Sequence, residues 1–358
     1  MHLRAFLLVF VPIAFVLVVT GVLGYWWEQH EKEASHKTIL LSDFIGKTTP
    51  KNLISPPPLR DVGEPPAFEK SLLTGLPRIS GEVEKIVGVM IDEAPGARAH
   101  HTGIEKARMV FEAPAEGGIP RLLTLFSSED FPEKIGPVRS ARHYFVQMAE
   151  PIAGAYVHAG GSPQGLEEVY NSSLINIDEG FNDKHFERDN TIARPHNLFL
   201  LPETISEEIP PSSHEEALFL FSEDIPTGLS SEDAPFLDVD FSTTQHHVSW
   251  QYDAEKKCYQ RKQSMETSDI CATNVGILII PIWSIEGDKK GRLDMNTIGS
   301  GFATIFRDGK AISGKWNRNK DEVFSFTTES GEEIPLKPGT TFFQIVGSKE
   351  KFSFSSPG

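Results

Sequence analysis

The sequence predicts a mixed α/β first domain followed by a mainly β second domain, both extracytoplasmic and behind one N-terminal transmembrane helix. Three observations predict it. Residues 5–27 contain no charged side chain. Short β-branched runs recur in residues 85–127 and again in residues 247–346. Between them, a strand-like run, a glycine pair and a proline-led helical run follow in order.

The uncharged stretch spans 23 residues, about 34 Å as a helix and enough to cross a bilayer core. Arg4 precedes it and Glu28, Glu31 and Glu33 follow with Lys32, so the positive end stays inside and the rest of the chain lies outside the cytoplasm. Tyr25, Trp26 and Trp27 suit the far interface. A cleaved signal peptide is the competing reading, with Val22, Leu23 and Gly24 as the cleavage region, although the run exceeds the usual apolar length of such peptides. No cysteine lies in or just after the span, which removes lipid attachment through a cysteine there.

The domain plan places the anchor at residues 1–28, a stalk and proline-rich linker at 29–80, an α/β domain at 81–202, an acidic connector at 203–240 and a mainly β domain at 241–358. KIVGVMID reads as a buried strand, and RMVFEA and RLLTLFS as its neighbours in one sheet. In SARHYFVQMAE, apolar residues at 141, 144, 145 and 148 have helical spacing behind a serine cap, with Pro151 as the stop. AGAYVHA is strand-like. GGSPQGLEEVY then supplies a cap at Ser162 and a proline at the first helical position. The connector carries a short helix near EEALFLF. In the second domain, HVSWQYD and CYQRKQ form a hairpin, NVGILIIPIW a buried strand, GSGFATIFRDGKAISGKW a pair joined by an Asp-Gly turn, and KPGTTFFQIVG the final strand.

The formal charge of −16 excludes nucleic acid as a partner and a basic contact with anionic lipid. Cys258 and Cys271 are the two cysteines. They form a disulfide, as an oxidising compartment permits, or remain two buried thiols.

Chemistry concentrates in residues 112–162, where EAPAEGGIPR, IGPVRSAR and VHAGGSP follow one another. Arg121, Arg139 and Arg142 are planar donor forks for phosphate or carboxylate. Ser140 and the turn Gly160, Gly161, Ser162 stand at predicted helix starts, whose dipoles favour anions. The plainer reading pairs these arginines with Glu112, Glu116 or Asp92 to hold loops. His158 ends a strand before the glycines, where a general base, a metal ligand or a structural hydrogen bonder would sit. Arg188, His196 and Asn197 join the same pocket if the chain folds back. Asp92, Glu116, His158 and His196 are also ligand types for a divalent metal, but their spacing matches no metal motif and no cofactor is predicted. Ser162 and Ser140 fit helix capping better than nucleophilic catalysis.

The ordered series VMID, FEAPAEGG with Arg121, IGPVRSAR, YVHAGGSP and PHNLFL resembles the YerB-like family of bacterial envelope lipoproteins of unknown function. VSWQYD, GSGFATIFRDGK and GKW extend the resemblance over residues 80–350. It implies an extracytoplasmic, two-domain protein and carries no activity with it. A span in place of the lipid-bearing cysteine departs from the family's pattern. A looser similarity is to envelope transferases that move glycopolymers from polyprenyl pyrophosphate carriers. Three functions follow: binding an anionic cell-wall or lipid-linked ligand, recruiting an envelope protein as a non-catalytic scaffold, or glycopolymer transfer or hydrolysis with His158 as base.

Overall fold

Alternation of side chains along the strands determines the architecture. The computed structural model describes residues 69–78, 82–264 and 266–356. The predicted span, cleavage region and most of the linker lie outside the described residues. Among those described, no helix is long and apolar enough to cross a membrane.

The chain is mostly β. An 11-stranded sheet contains β1 (Ile86–Asp92), β2 (Met109–Pro114), β3 (Pro120–Ser127), β4 (Ala155–His158), β5 (Ile175–Asp178), β6 (Glu232–Asp233), β7 (Asn274–Ile279), β8 (Gly299–Arg307), β9 (Lys310–Arg318), β10 (Ser325–Thr327) and β11 (Thr341–Val346). Its order is β6-β9-β8-β7-β11-β2-β3-β1-β4-β5, with β10 on β9. The strands predicted around Lys85, Met109 and Arg121 are therefore neighbours, β3 lying between β2 and β1. The two sequence segments share this one sheet: β11 pairs in parallel with β2, setting Phe343 beside Phe111 and Gln344 beside Glu112.

Because successive residues face opposite sides of a strand, the sheet buries two cores. Met90, Phe111, Leu123, Leu278 and Phe343 join one. Val89, Val110, Leu122, Ile277 and Phe342 join the other. The first core is packed by the helix α2 (His143–Ala149), with Tyr144, Phe145 and Met148 buried. The second is packed by a five-stranded antiparallel sheet ordered Glu266–Ala272, Cys258–Gln263, His247–Asp253, Phe236–Asp240, Phe352–Ser355. Leu237, Val239, Val248, Trp250 and Tyr259 of this sheet are inside.

The α-helices of the described residues are short: α1 (Pro95–Arg98), α2 and α3 (Pro163–Asn171). Ser162 caps α3, its Oγ accepting from the Gly165 amide at 3.0 Å. β4, α3 and β5 form the predicted strand, turn and helix unit, with β4 and β5 parallel.

Three local expectations fail. Ser140 does not cap a helix: α2 starts at His143, three residues later, with Arg142 at the N-cap position and no side-chain cap. Residues 215–221 form no helix, because pairing competes successfully for their backbone; the Leu218 amide donates to the Leu72 carbonyl, and Phe221 bridges Leu336. Thr341–Val346 is followed by one more strand, Phe352–Ser355, completing the five-stranded sheet. The Asp-Gly turn holds, with Asp308 and Gly309 both at positive φ, 54° and 71°, as a two-residue hairpin requires. The hairpin joining HVSWQYD to CYQRKQ also forms.

Candidate functional site

Strands β1, β4 and β5 run parallel and end on Asp92, His158 and Asp178. Loops beyond such carboxyl ends form the crevice in which ligands bind in parallel-sheet folds. Here the extended segment 137–141 crosses that edge. The Asp92 amide donates to the Pro137 carbonyl, the Arg139 amide to Met90, the Ala159 amide to Arg139 and the Ala141 amide to Gly160.

These bonds place Arg139 over the strand ends. Its Nε lies 3.3 Å from Asp92 Oδ2, and its side chain is 30 % exposed. The same Asp92 oxygen is 2.8 Å from His196 Nδ1, so Asp92 joins two predicted residues. Arg188 completes one wall, donating to Asn197 Oδ1 at 3.1 Å and to Glu179 Oε1 at 2.8 Å. Asn197 is buried and donates onward to the Asp189 carbonyl. Arg139, Arg188, Gly160, Gly180, Asp178 and Glu179 line a groove of about 390 Å³.

Gly160 forms the groove's turn at φ +59°, with open space where a Cβ would stand. Its amide donates to Asp178 Oδ1 at 2.9 Å, and Gly180 donates to the same oxygen at 3.2 Å. Behind it His158 is fully buried, with Nδ1 2.9 Å from the Gly160 carbonyl and Nε2 2.9 Å from Asn176 Oδ1. Gly161 packs so closely that a Cβ would sit 3.0 Å from Leu166 and 3.3 Å from Ala141. Ser162 Oγ is spent on the cap.

Arg121 and Arg142 do not join this groove. Arg121 donates to Glu116 Oε2 at 2.9 Å and, through its other terminal nitrogen, to the Ser140 carbonyl at 2.9 Å. Arg142 takes Glu116 Oε1 and the Ala141 carbonyl. Glu116 therefore gives one oxygen to each arginine. Burial raises the Glu116 carboxyl, but the charges of Arg121 and Arg142 outweigh it and hold the group below its ordinary value. Burial first, and then the neighbouring Arg142 charge, bring Arg121 down to about 10, against the pull of Glu116.

Glu112, the remaining predicted partner, pairs elsewhere. It is fully buried on β2, with Oε1 3.0 Å from Arg261 Nη2 and Oε2 2.8 Å from Gln344 Nε2. Glu93 meets the same Arg261 nitrogen at 3.1 Å. Arg98 Nε and His101 Nε2 approach Glu93 at 3.5 and 3.2 Å. Reading the sequence missed this cluster, although one signal was present: in CYQRKQ, Arg261 shares the inward phase of Tyr259.

Among the described residues no group of three His, Cys, Asp or Glu side chains is arranged to hold a metal. Of the four ligand types considered, Asp92 and His196 meet, while Glu116 is taken by arginines. The sulfurs of Cys258 and Cys271 are bonded, with Cα atoms 5.5 Å apart on adjacent strands.

Fold and site together define a mostly β protein of two sequence segments sharing one sheet, with a polar groove at the ends of its parallel strands. The family described as "Protein of unknown function (DUF3048) N-terminal domain" matches residues 73–215, and its C-terminal domain counterpart matches residues 237–343. "Putative lipoprotein YerB" of Bacillus subtilis is 29 % identical over 302 residues, covering 80 % of this chain and 88 % of the relative. The crystal structure of the B. subtilis YerB protein superposes with a TM-score of 0.70 at 27 % identity, over 80 % of this chain and 99 % of that one. The chain belongs to this YerB-like family.

Proposed function

We propose that this protein is held at the outer face of the cell membrane and binds an anionic ligand, bearing phosphate or carboxylate, in the groove between Arg139 and Arg188. The carrying observation is the Arg139 fork. Its Nε faces Asp92, while its two terminal nitrogens have no hydrogen-bond partner among the described residues, and the side chain lines the groove. A guanidinium with both terminal nitrogens unspent offers the paired donors that phosphate and carboxylate oxygens accept.

The charges lining the groove balance, Arg139 and Arg188 against Asp178 and Glu179. Selection therefore rests on the geometry of the fork and on close approach over Gly160, not on a net positive field. Binding is favoured over turnover because the one histidine proposed as base is buried with both ring nitrogens engaged. The envelope location draws support from the relative's description as a lipoprotein and from the disulfide, which oxidising compartments sustain. The uncharged residues 5–27 supply a single-pass anchor.

The test is thermal unfolding of the full chain in detergent, with pyrophosphate and separately with citrate. A ligand at 100 times its Kd stabilises by about 2.7 kcal/mol. We expect a raised Tm in the wild type with at least one anion and none in Arg139→Gln. A flat wild-type response to both, or an equal shift in the variant, overturns the groove and favours the scaffold.

A further inference from the structure

We propose that the outer edge of β5 receives an extended, basic peptide segment of a partner protein, added as a further strand of the large sheet. This docking surface is independent of the anion groove.

The strand supplies the pairing edge. β5 stands at one end of the 11-stranded sheet, and β4 is its one neighbour among the described residues. The Ile175 and Glu179 amides donate inward, to the Gly154 and His158 carbonyls. Backbone groups alternate in direction along a strand of a parallel pair, so the amide and carbonyl of Asn176 point outward. Unspent edge groups of this kind pair with an incoming strand. The opposite end of the sheet is protected, because β6 has two residues only, Glu232 and Asp233, both exposed. Short, charged edges resist pairing. β5 has no lysine or proline for that purpose, and its single charge, Asp178, is buried and accepts from the Gly160 and Gly180 amides.

Apolar side chains are exposed around this edge. Of the eleven exposed large apolar residues among those described, four fall within residues 166–181: Leu166, Tyr170, Ile175 and Phe181. Tyr170 and Phe181 are each 86 % exposed. Leu166 and Tyr170 stand four residues apart on α3 and so share one helix face, and α3 carries the chain from β4 across to β5. Ile175 opens β5 and Phe181 follows its end.

Charge selects the occupant. Residues 143–183, which hold α3 and β5, contain six carboxylates and no lysine or arginine. Glu167, Glu168 and Asp183 have no ion-pair partner among the described residues. A second copy would bring the same unpaired carboxylates together, and anionic lipid would meet the same repulsion. A strand bearing lysine or arginine neutralises them, while its apolar side chains cover those left exposed here.

Fluorescence anisotropy on the full chain in detergent tests this with a labelled peptide that alternates lysine and valine. The peptide should bind. Its counterpart of glutamate and valine, and its form N-methylated on every backbone nitrogen, should each bind at least about tenfold more weakly, the first losing charge attraction and the second the donors that pair with β5. Tyr170→Lys and Phe181→Lys together, exposed changes that spare the core, should weaken binding at least about tenfold and leave the urea midpoint unchanged. Arg139→Gln should not weaken it. No binding at millimolar concentration, or a smaller loss in any of the three comparisons, overturns the edge site, and a loss in Arg139→Gln moves the peptide to the groove. A wild-type chain that dimerises in sedimentation, beside a monomeric double variant, also overturns it and gives the edge to a second copy.

Discussion

Arg121 and Arg142 on one side, and Arg139 on the other, come from the same short stretch and would look interchangeable as anion binders. The first two are 8 % and 6 % exposed and close on both oxygens of Glu116. The third is 30 % exposed by side chain and shares a carboxylate with His196. The difference is the number of donors spent inside the fold. A guanidinium whose terminal nitrogens bond Glu116 and a backbone carbonyl holds a loop; one with both terminal nitrogens unspent has donors left for a ligand.

The sharpest way to break this comparison is Glu116→Ala. It strands two buried arginines, and removing one partner of a buried pair costs about 3 kcal/mol. Urea unfolding should show that loss. A cost near zero would mean that the clamp is not structural and that Arg121 and Arg142 are as available as Arg139.

Acid provides a second handle on the same clamp. The folded Glu116 carboxyl lies below its ordinary value of 4.5. Its stabilising contribution is therefore present above that value and is lost as pH falls through the lower folded value. The wild-type urea midpoint should decline below about pH 4.5, and Glu116→Gln should decline less steeply.

Ser162→Ala should cost about 1 kcal/mol through loss of the cap on α3. Pyrophosphate binding should survive it, since the hydroxyl is spent on Gly165. Loss of the ligand response with little loss of stability would move Ser162 into the site. The smallest stability effect belongs to Arg139→Gln, within about 1 kcal/mol for a partly exposed pair. A large destabilisation there would erase the contrast between the two arginine sites.

Much of the fold was legible because its signals are local. Continuous apolar runs, buried along their whole length, mark β1, β2 and β3, the Asp308-Gly309 pair marks a hairpin, and the Ser162-Pro163 order marks the start of α3. The failures have local explanations too. Ser140 has capping chemistry, but its carbonyl accepts from Arg121 and the chain stays extended until Arg142. Residues 215–221 have helical composition, yet strand-like contacts with Leu72 and Leu336 use their backbone.

The candidate site was legible as a set of residues and not as an arrangement. Of the residues singled out, Arg139, Gly160 and Arg188 line one groove and Asp92 lies between Arg139 and His196, because residues 137–141 lie along the strand ends, whereas Arg121 and Arg142 close on Glu116. The choice among Glu112, Glu116 and Asp92 for each arginine had no sequence signal. Glu112 is drawn to Arg261, 149 residues away.

From the sequence came where many of the strands run, where α3 is capped and where the Asp-Gly hairpin turns, since apolar runs, capping and turn chemistry act over a few residues. The tertiary structure alone decided that two segments complete one sheet through β2 and β11. It also decided which carboxylate each arginine spends itself on. Those outcomes depend on strand register between distant segments, and register emerges only when the inward faces pack together.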